Sequence, residues 1–216
     1  MELTKTQIEK VEYYLYNKYF DAIDLKAEVL DHIISDIENR MQENWSFEDA
    51  FVMTTIRWEK HFRETSSLFL GFHYSESKIL VKKAVKLFKP FYFLYLAAYF
   101  LPFIFLKLVP VIIAKGTVDF INGFLLSSSL IMLSYMFFII VKTYLSQVKT
   151  TYRFILKTQY LGLILLIMGL AVGVFDQKGL LNPVFTGFVF GGYAVVFICH
   201  HFYKKHIEAI EKYKIS

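Results

Sequence analysis

Cysteine is almost missing from this chain of 216 residues: Cys199 stands alone, so no internal disulfide can form and nothing marks an oxidising compartment. The spacings that usually announce catalysis are missing as well, with no G-x-S-x-G, H-E-x-x-H, P-loop or dinucleotide-binding glycine pattern. Internal repeats and low-complexity segments are not evident. Met1-Glu-Leu-Thr-Lys5 leads into an amphipathic, acidic stretch, where a cleavable signal peptide would need an apolar core and a small-residue cleavage site, so none is expected. Acidic residues become scarce beyond residue 77, where four Asp and Glu face sixteen Lys and Arg, a net of +12. Residues 1–77 hold fifteen against eight, a net of −7, and the overall +5 conceals this division. An acidic soluble part repels phosphate backbones, so direct nucleic-acid binding is not expected.

What fills the second half is apolar. Four runs, Phe91–Ala114, Val118–Val141, Phe154–Val174 and Leu180–Phe202, each reach the roughly 20 residues that cross about 30 Å of hydrocarbon as a helix. The lysines between them predict orientation. Lys78, Lys82, Lys83, Lys86 and Lys89 precede the first run; Lys142, Lys149, Arg153 and Lys157 surround the connection from second to third; Lys204, Lys205, Lys212 and Lys214 follow the fourth. The remaining two connections carry only Lys107, Lys115 and Asp119, or Lys178 and Asp176. The positive-inside bias therefore puts both termini in the cytoplasm.

Three amphipathic helices are expected before the spans. Thr6-Gln-Ile-Glu9 has capping-box spacing, with Ile8, Val11 and Leu15 recurring behind it. Asp21 or Asp24 can cap a second helix in which Leu25, Val29, Ile33, Ile37 and Met41 repeat every fourth residue. Ser46-Phe-Glu-Asp49 opens a third, with Phe47, Ala50, Phe51, Thr55, Trp58 and Phe62 as its buried face. Residues 66–77 lack a sustained period and read as a connector. Residues 78–90, with lysines on one side and Ile79, Leu80, Ala84, Val85 and Phe88 on the other, fit either an interfacial helix or a helical extension of the first span.

Polar groups inside the runs are few and mostly near the ends, which argues against a transport pathway, since carriers place ionisable groups at mid-membrane depth. Ser127-Ser-Ser129 is read as helix packing. Gly169, Gly173, Gly187 and Gly191 make two G-x-x-x-G patterns in successive spans and allow close backbone approach, within the chain by default or across a homodimer. Pro102 is expected to kink the first span, Pro110 to mark its outer end and Pro183 to sit in the first turn of the fourth. His200, His201 and His206 are read as interfacial.

One cluster carries possible chemistry. Glu28, Asp31, His32 and Asp36 fall on the second helix, and Glu28, His32 and Asp36, spaced by four, share a stripe. A His between two carboxylates can ligate a divalent ion if His61 or His73 completes the shell, which would make this a metal-binding membrane enzyme. The competing reading, preferred here, is an acidic face that meets a partner protein, with no cofactor and no catalytic residue.

At this helix the chain resembles a known family. Glu28-Val-Leu-Asp31-His32-Ile-Ile-Ser-Asp36-Ile-Glu38, followed by Asn44-Trp-Ser46-Phe-Glu-Asp49-Ala50-Phe, is similar to the helical HAAS-type signalling domain over about residues 5–65. The third helix carries Thr54-Thr-Ile-Arg-Trp58 where that family has a Leu-Gly-x-Pro-like end. The resemblance implies a small bundle, often followed by membrane spans and associated with PadR-like transcriptional regulators, and hence cytoplasmic signalling by protein contact.

The expectation is an all-α bacterial protein of the cytoplasmic (inner) membrane. It comprises an acidic helical domain at residues 1–77, a basic juxtamembrane helix at 78–90, four spans over 91–203 and a basic tail at 204–216. Its partners are the lipid bilayer and a protein docked at Glu28, Asp31, His32 and Asp36. A transport subunit is the least favoured alternative.

Overall fold

The computed structural model describes residues 2–160, 162–176 and 178–214. The fold is all-α: three short helices, a small hairpin, then four long apolar stretches able to cross a bilayer. The elements are α1 (Lys5–Asn17), α2 (Ile23–Gln42), α3 (Phe47–Phe62), β1 (Glu64–Ser67), β2 (Gly71–Ser77), α4 (Lys78–Leu108), α5 (Lys115–Leu145), α6 (Thr151–Gln159), α7 (Gly162–Val172) and α8 (Pro183–Lys214). The chain forms two compact units. One comprises the chain up to Lys86, Val148–Phe154 and the chain from His206 on; the other comprises Leu87–Gln147 and Ile155–Lys205.

In the first unit α2 is the centrepiece. Its stripe Leu25, Val29, Ile33 and Ile37 is buried, as the four-residue repeat predicts, and it packs against α1 and α3. Val11 and Leu15 of α1 and Ala50 and Thr54 of α3 complete the core. The caps correct two expectations. The capping box of α1 is Thr4 with Gln7, not Thr6 with Glu9: the Gln7 N–H donates to Thr4 Oγ1 at 3.4 Å and the Thr4 N–H to Gln7 Oε1 at 2.8 Å. The same four-residue spacing occurs two residues earlier, and it lets Leu3 be buried ahead of the helix. Neither Asp21 nor Asp24 caps α2, whose N-cap is Ala22 without a side-chain bond. Ser46 does cap α3, accepting from the Asp49 N–H at 3.2 Å.

Both interhelix turns close with a residue in the left-handed region. After α2, Asn44 at φ 65° lets the Trp45 N–H reach the Arg40 carbonyl at 3.3 Å and its own N–H reach Met41 at 3.2 Å, a Schellman closure. After α1, Tyr19 does the same at φ 53°, with Phe20 bonded to Leu15. Residues 66–77 are not an irregular connector. They supply most of an antiparallel hairpin, β1 against β2, with a bulge between Thr65 and Ser67 and Gly71 at φ 92° closing the turn. Alternation is too weak there to register as a strand, although Leu70 at the turn is buried.

Lys78 to Lys89 form the opening turns of α4, which stays helical through Pro90 and Pro102 to Leu108, just before Pro110. The third apolar stretch is two helices, α6 and α7, with Leu161 between them outside the described residues. It ends at Val172, two residues short of the expected Val174, because Gly173 turns left-handed at φ 86°. Asn182 caps α8, accepting from the Val184 N–H at 3.0 Å, with Pro183 in the first turn as expected. Leu166, Val174 and Val189 centre the core of the second unit.

Candidate functional site

The acidic stripe of α2 is only partly free. Asp36 accepts from Trp58 Nε1 at 2.7 Å and from Arg57 Nη2 at 3.1 and 3.2 Å, so its charge is engaged by α3. Glu28 faces Lys83 Nζ at 3.3 Å. Asp31 and His32 are exposed. No group of three His, Cys, Asp or Glu among the described residues comes together as a metal would require. His61 lies against the Trp58 ring, with centroids 5.2 Å apart, and His73 is exposed on β2.

Opposite Glu28 and His32 stands a basic wall. Lys82, Lys83 and Lys86 of α4 line a cavity of about 220 Å³ with them, floored by Leu25, Val29 and Ile79. Helical periodicity explains the alignment, since residues 82 and 86, four apart, fall on one line with 79 and 83 beside it. The positive field reaches α3: burial, then Lys60, Lys82, Lys78 and Arg57, push the His61 imidazole below its ordinary proton affinity.

A third feature ties the α1–α2 turn to residues 148–154, the connection between the second and third apolar stretches. The Ile23 N–H donates to the Lys149 carbonyl at 3.0 Å, Lys149 Nζ pairs with Asp21 at 3.0 Å, and Asp24 Oδ1 accepts from the Thr151 N–H at 2.8 Å. Asp24 therefore caps a helix, but it is α6. Beside it His206 is fully buried, and the turns of α8 from His206 on belong to the first unit. His206 Nδ1 shares a hydrogen with Thr150 Oγ1 at 2.9 Å, while Nε2 has no protein partner. Burial, reinforced by Arg153, holds its proton affinity down to about 4. The sequence carries no local signal for the bond between residues 24 and 151 or for that between 150 and 206.

The outer face of α3 is different in kind. Val52, Met53 and Ile56 are 49, 43 and 64% exposed, on the face that Asp49 begins. A groove of about 530 Å³ leads from Glu43 and Trp45 past Asp49 to Val52 and Met53. The single buried stripe expected of α3 leaves these three apolar residues without a role, and their spacing is the only sign of this face in the sequence.

In the second unit the small residues meet side chains and backbone at close range. A Cβ on Gly187 would lie 2.8 Å from the Tyr99 carbonyl of α4, and Gly191 faces Tyr95 and Tyr99 of the same helix. Gly169 meets α8, where a Cβ would lie 2.9 Å from Val189, whereas Gly173 faces open space and serves the end of α7. Ser128 and Ser129 share hydrogens with the Tyr193 hydroxyl at 2.8 and 2.9 Å, linking α5 to α8. Tyr135 and His200 are joined at 2.6 Å.

These features describe a multi-pass membrane protein with a helical N-terminal region. No protein-family model matches the chain, and no curated protein and no solved structure matches it significantly.

Proposed function

We propose that this protein is a membrane-anchored signalling protein whose N-terminal helical domain, on the cytoplasmic side with both termini, docks a protein partner. One observation carries the reading: α3 leaves Val52, Met53 and Ile56 uncovered beside the Trp45 groove. Adjacent apolar side chains on a water-facing helix favour a partner that removes them from water, at roughly 25 cal/mol per Å². Glu43 and Asp49 stand beside the face, Glu59 at its edge is answered by Lys18 at 2.6 Å, and residues 1–77 carry a net −7, so the partner is expected to present an apolar ridge with basic flanks. Asp31 and His32 extend the acidic surface on α2; Glu28 and Asp36 contribute less because Lys83 and Arg57 already answer them. The resemblance to HAAS-type domains supports the same role, with a transcriptional regulator as the partner class. The ties at Asp21, Ile23 and Asp24 give such a domain a way to sense residues 148–154.

The test is photocrosslinking in native membranes from a reactive residue placed at Glu59, beside Ile56. One defined protein should crosslink, and Met53→Asp/Ile56→Asp should abolish it while helical circular dichroism is kept. Glu28→Gln/Asp36→Asn should weaken it modestly. Crosslinking that survives the two aspartates and vanishes with Asp31→Asn would move the surface to α2; no crosslinked protein from any of these positions would end the docking proposal.

A further inference from the structure

The cavity between α2 and α4 combines three features that independently fit one kind of ligand. Its floor is apolar, formed by Leu25, Val29 and Ile79; its rim carries Lys82, Lys83 and Lys86; and its volume, about 220 Å³, suits a small polar headgroup rather than a protein segment. The single carboxylate on the rim, Glu28, pairs with Lys83. Among the described residues no acidic group pairs with Lys82 or Lys86, so the cavity retains two uncompensated positive charges. Its lysines lie five to nine residues ahead of Phe91 on one continuous helix, α4. That helix of 31 residues is about 46 Å long at 1.5 Å per residue, against about 30 Å of hydrocarbon, so its basic opening turns fall at headgroup depth and beyond.

We propose that this cavity is a binding site for the phosphate headgroup of an anionic phospholipid. The phosphodiester sits between Lys82 and Lys86, with His32 as a further donor, and the glycerol carbons rest on Leu25, Val29 and Ile79. The site differs from a diffuse basic collar, to which Lys78 would contribute as much as Lys82. It differs from a free-phosphate site in using the apolar floor. It does not depend on the docking face of α3.

The experiment uses the full chain in a nonionic detergent, titrated with dioctanoyl phosphatidylglycerol, dioctanoyl phosphatidylcholine or inorganic phosphate, with hydrogen exchange of residues 25–32 and 79–86 as the readout. Phosphatidylglycerol should protect both segments and the other two probes should not. Lys82→Gln/Lys86→Gln should weaken the titration about thirty-fold, since each lysine near an anionic surface contributes about 1 kcal/mol. Lys78→Gln should change it by less than the roughly five-fold expected of a residue on the rim, and Lys82→Arg/Lys86→Arg should keep binding, which guards against misfolding. Equal protection by phosphatidylcholine, a double glutamine variant that binds as before, an equal loss from Lys78→Gln, or protection by inorganic phosphate at the same concentration would each overturn the proposal.

Discussion

His206 is the residue whose chemistry depends most on its surroundings. Its imidazole is buried with one bonded nitrogen, and its proton affinity is depressed from 6.5 to about 4. Between those values the unfolded chain binds a proton that the folded chain does not, so stability is complete above about pH 6.5 and declines as pH falls toward 4. The slope is about 1.4 kcal/mol per pH unit for a single group. Hydrogen exchange of residues 148–154, corrected for intrinsic rate, should therefore show less protection at pH 5 than at pH 7.5, and His206→Gln should remove the difference. Wild-type protection that is the same at both values would show that the histidine is not insulated. Nothing near residue 206 in the sequence forecasts this. A histidine among Lys204, Lys205 and Glu208 reads as interfacial, and the sequence gives no sign of the Thr150 hydroxyl that meets its ring.

At the scale of elements, legibility followed periodicity. The four apolar stretches and the α2 stripe were readable because burial imposes a repeat on a helix, and each repeat is carried by many residues. Single-residue assignments fared less well. Thr4 and Thr6 offer competing caps of equal spacing, and Asp24, expected at the start of α2, instead accepts from a backbone N–H 127 residues away at the start of α6. The hairpin was missed because its strands are short and lack the β-branched alternation that marks a sheet. Of the four glycines expected at packing positions, Gly169, Gly187 and Gly191 meet a neighbouring helix and Gly173 does not, and the sequence names no partner for any of them, since any helix can offer a backbone to approach. The structure separates them. Gly187→Leu should drive a side chain into the Tyr99 backbone and lower the detergent melting temperature by several degrees, consistent with an overpacking cost of about 1–3 kcal/mol. Gly123→Leu, which meets nothing within 4 Å, should leave it unchanged or raise it slightly. Equal effects of the two would mean that α4 and α8 do not meet as described.

For the molecule as a whole, the orientation we propose puts the helical domain in the cytoplasm, ahead of four helical stretches able to cross a bilayer, with the connection at residues 148–154 on the same side as that domain. The lysine distribution motivates the orientation, and the bonds from Ile23 and Asp24 to Lys149 and Thr151 require the turn and the connection to share a compartment. Impermeant thiol labelling of intact cells tests this directly, using single cysteines at Lys115, Lys149, Lys178 and Lys212 in a Cys199→Ser background. Cysteines at 115 and 178 should label from outside, while those at 149 and 212 should label only after the membrane is permeabilised. Labelling of 149 or 212 in intact cells, with 115 and 178 protected until permeabilisation, would mean that the helical domain lies outside the cell.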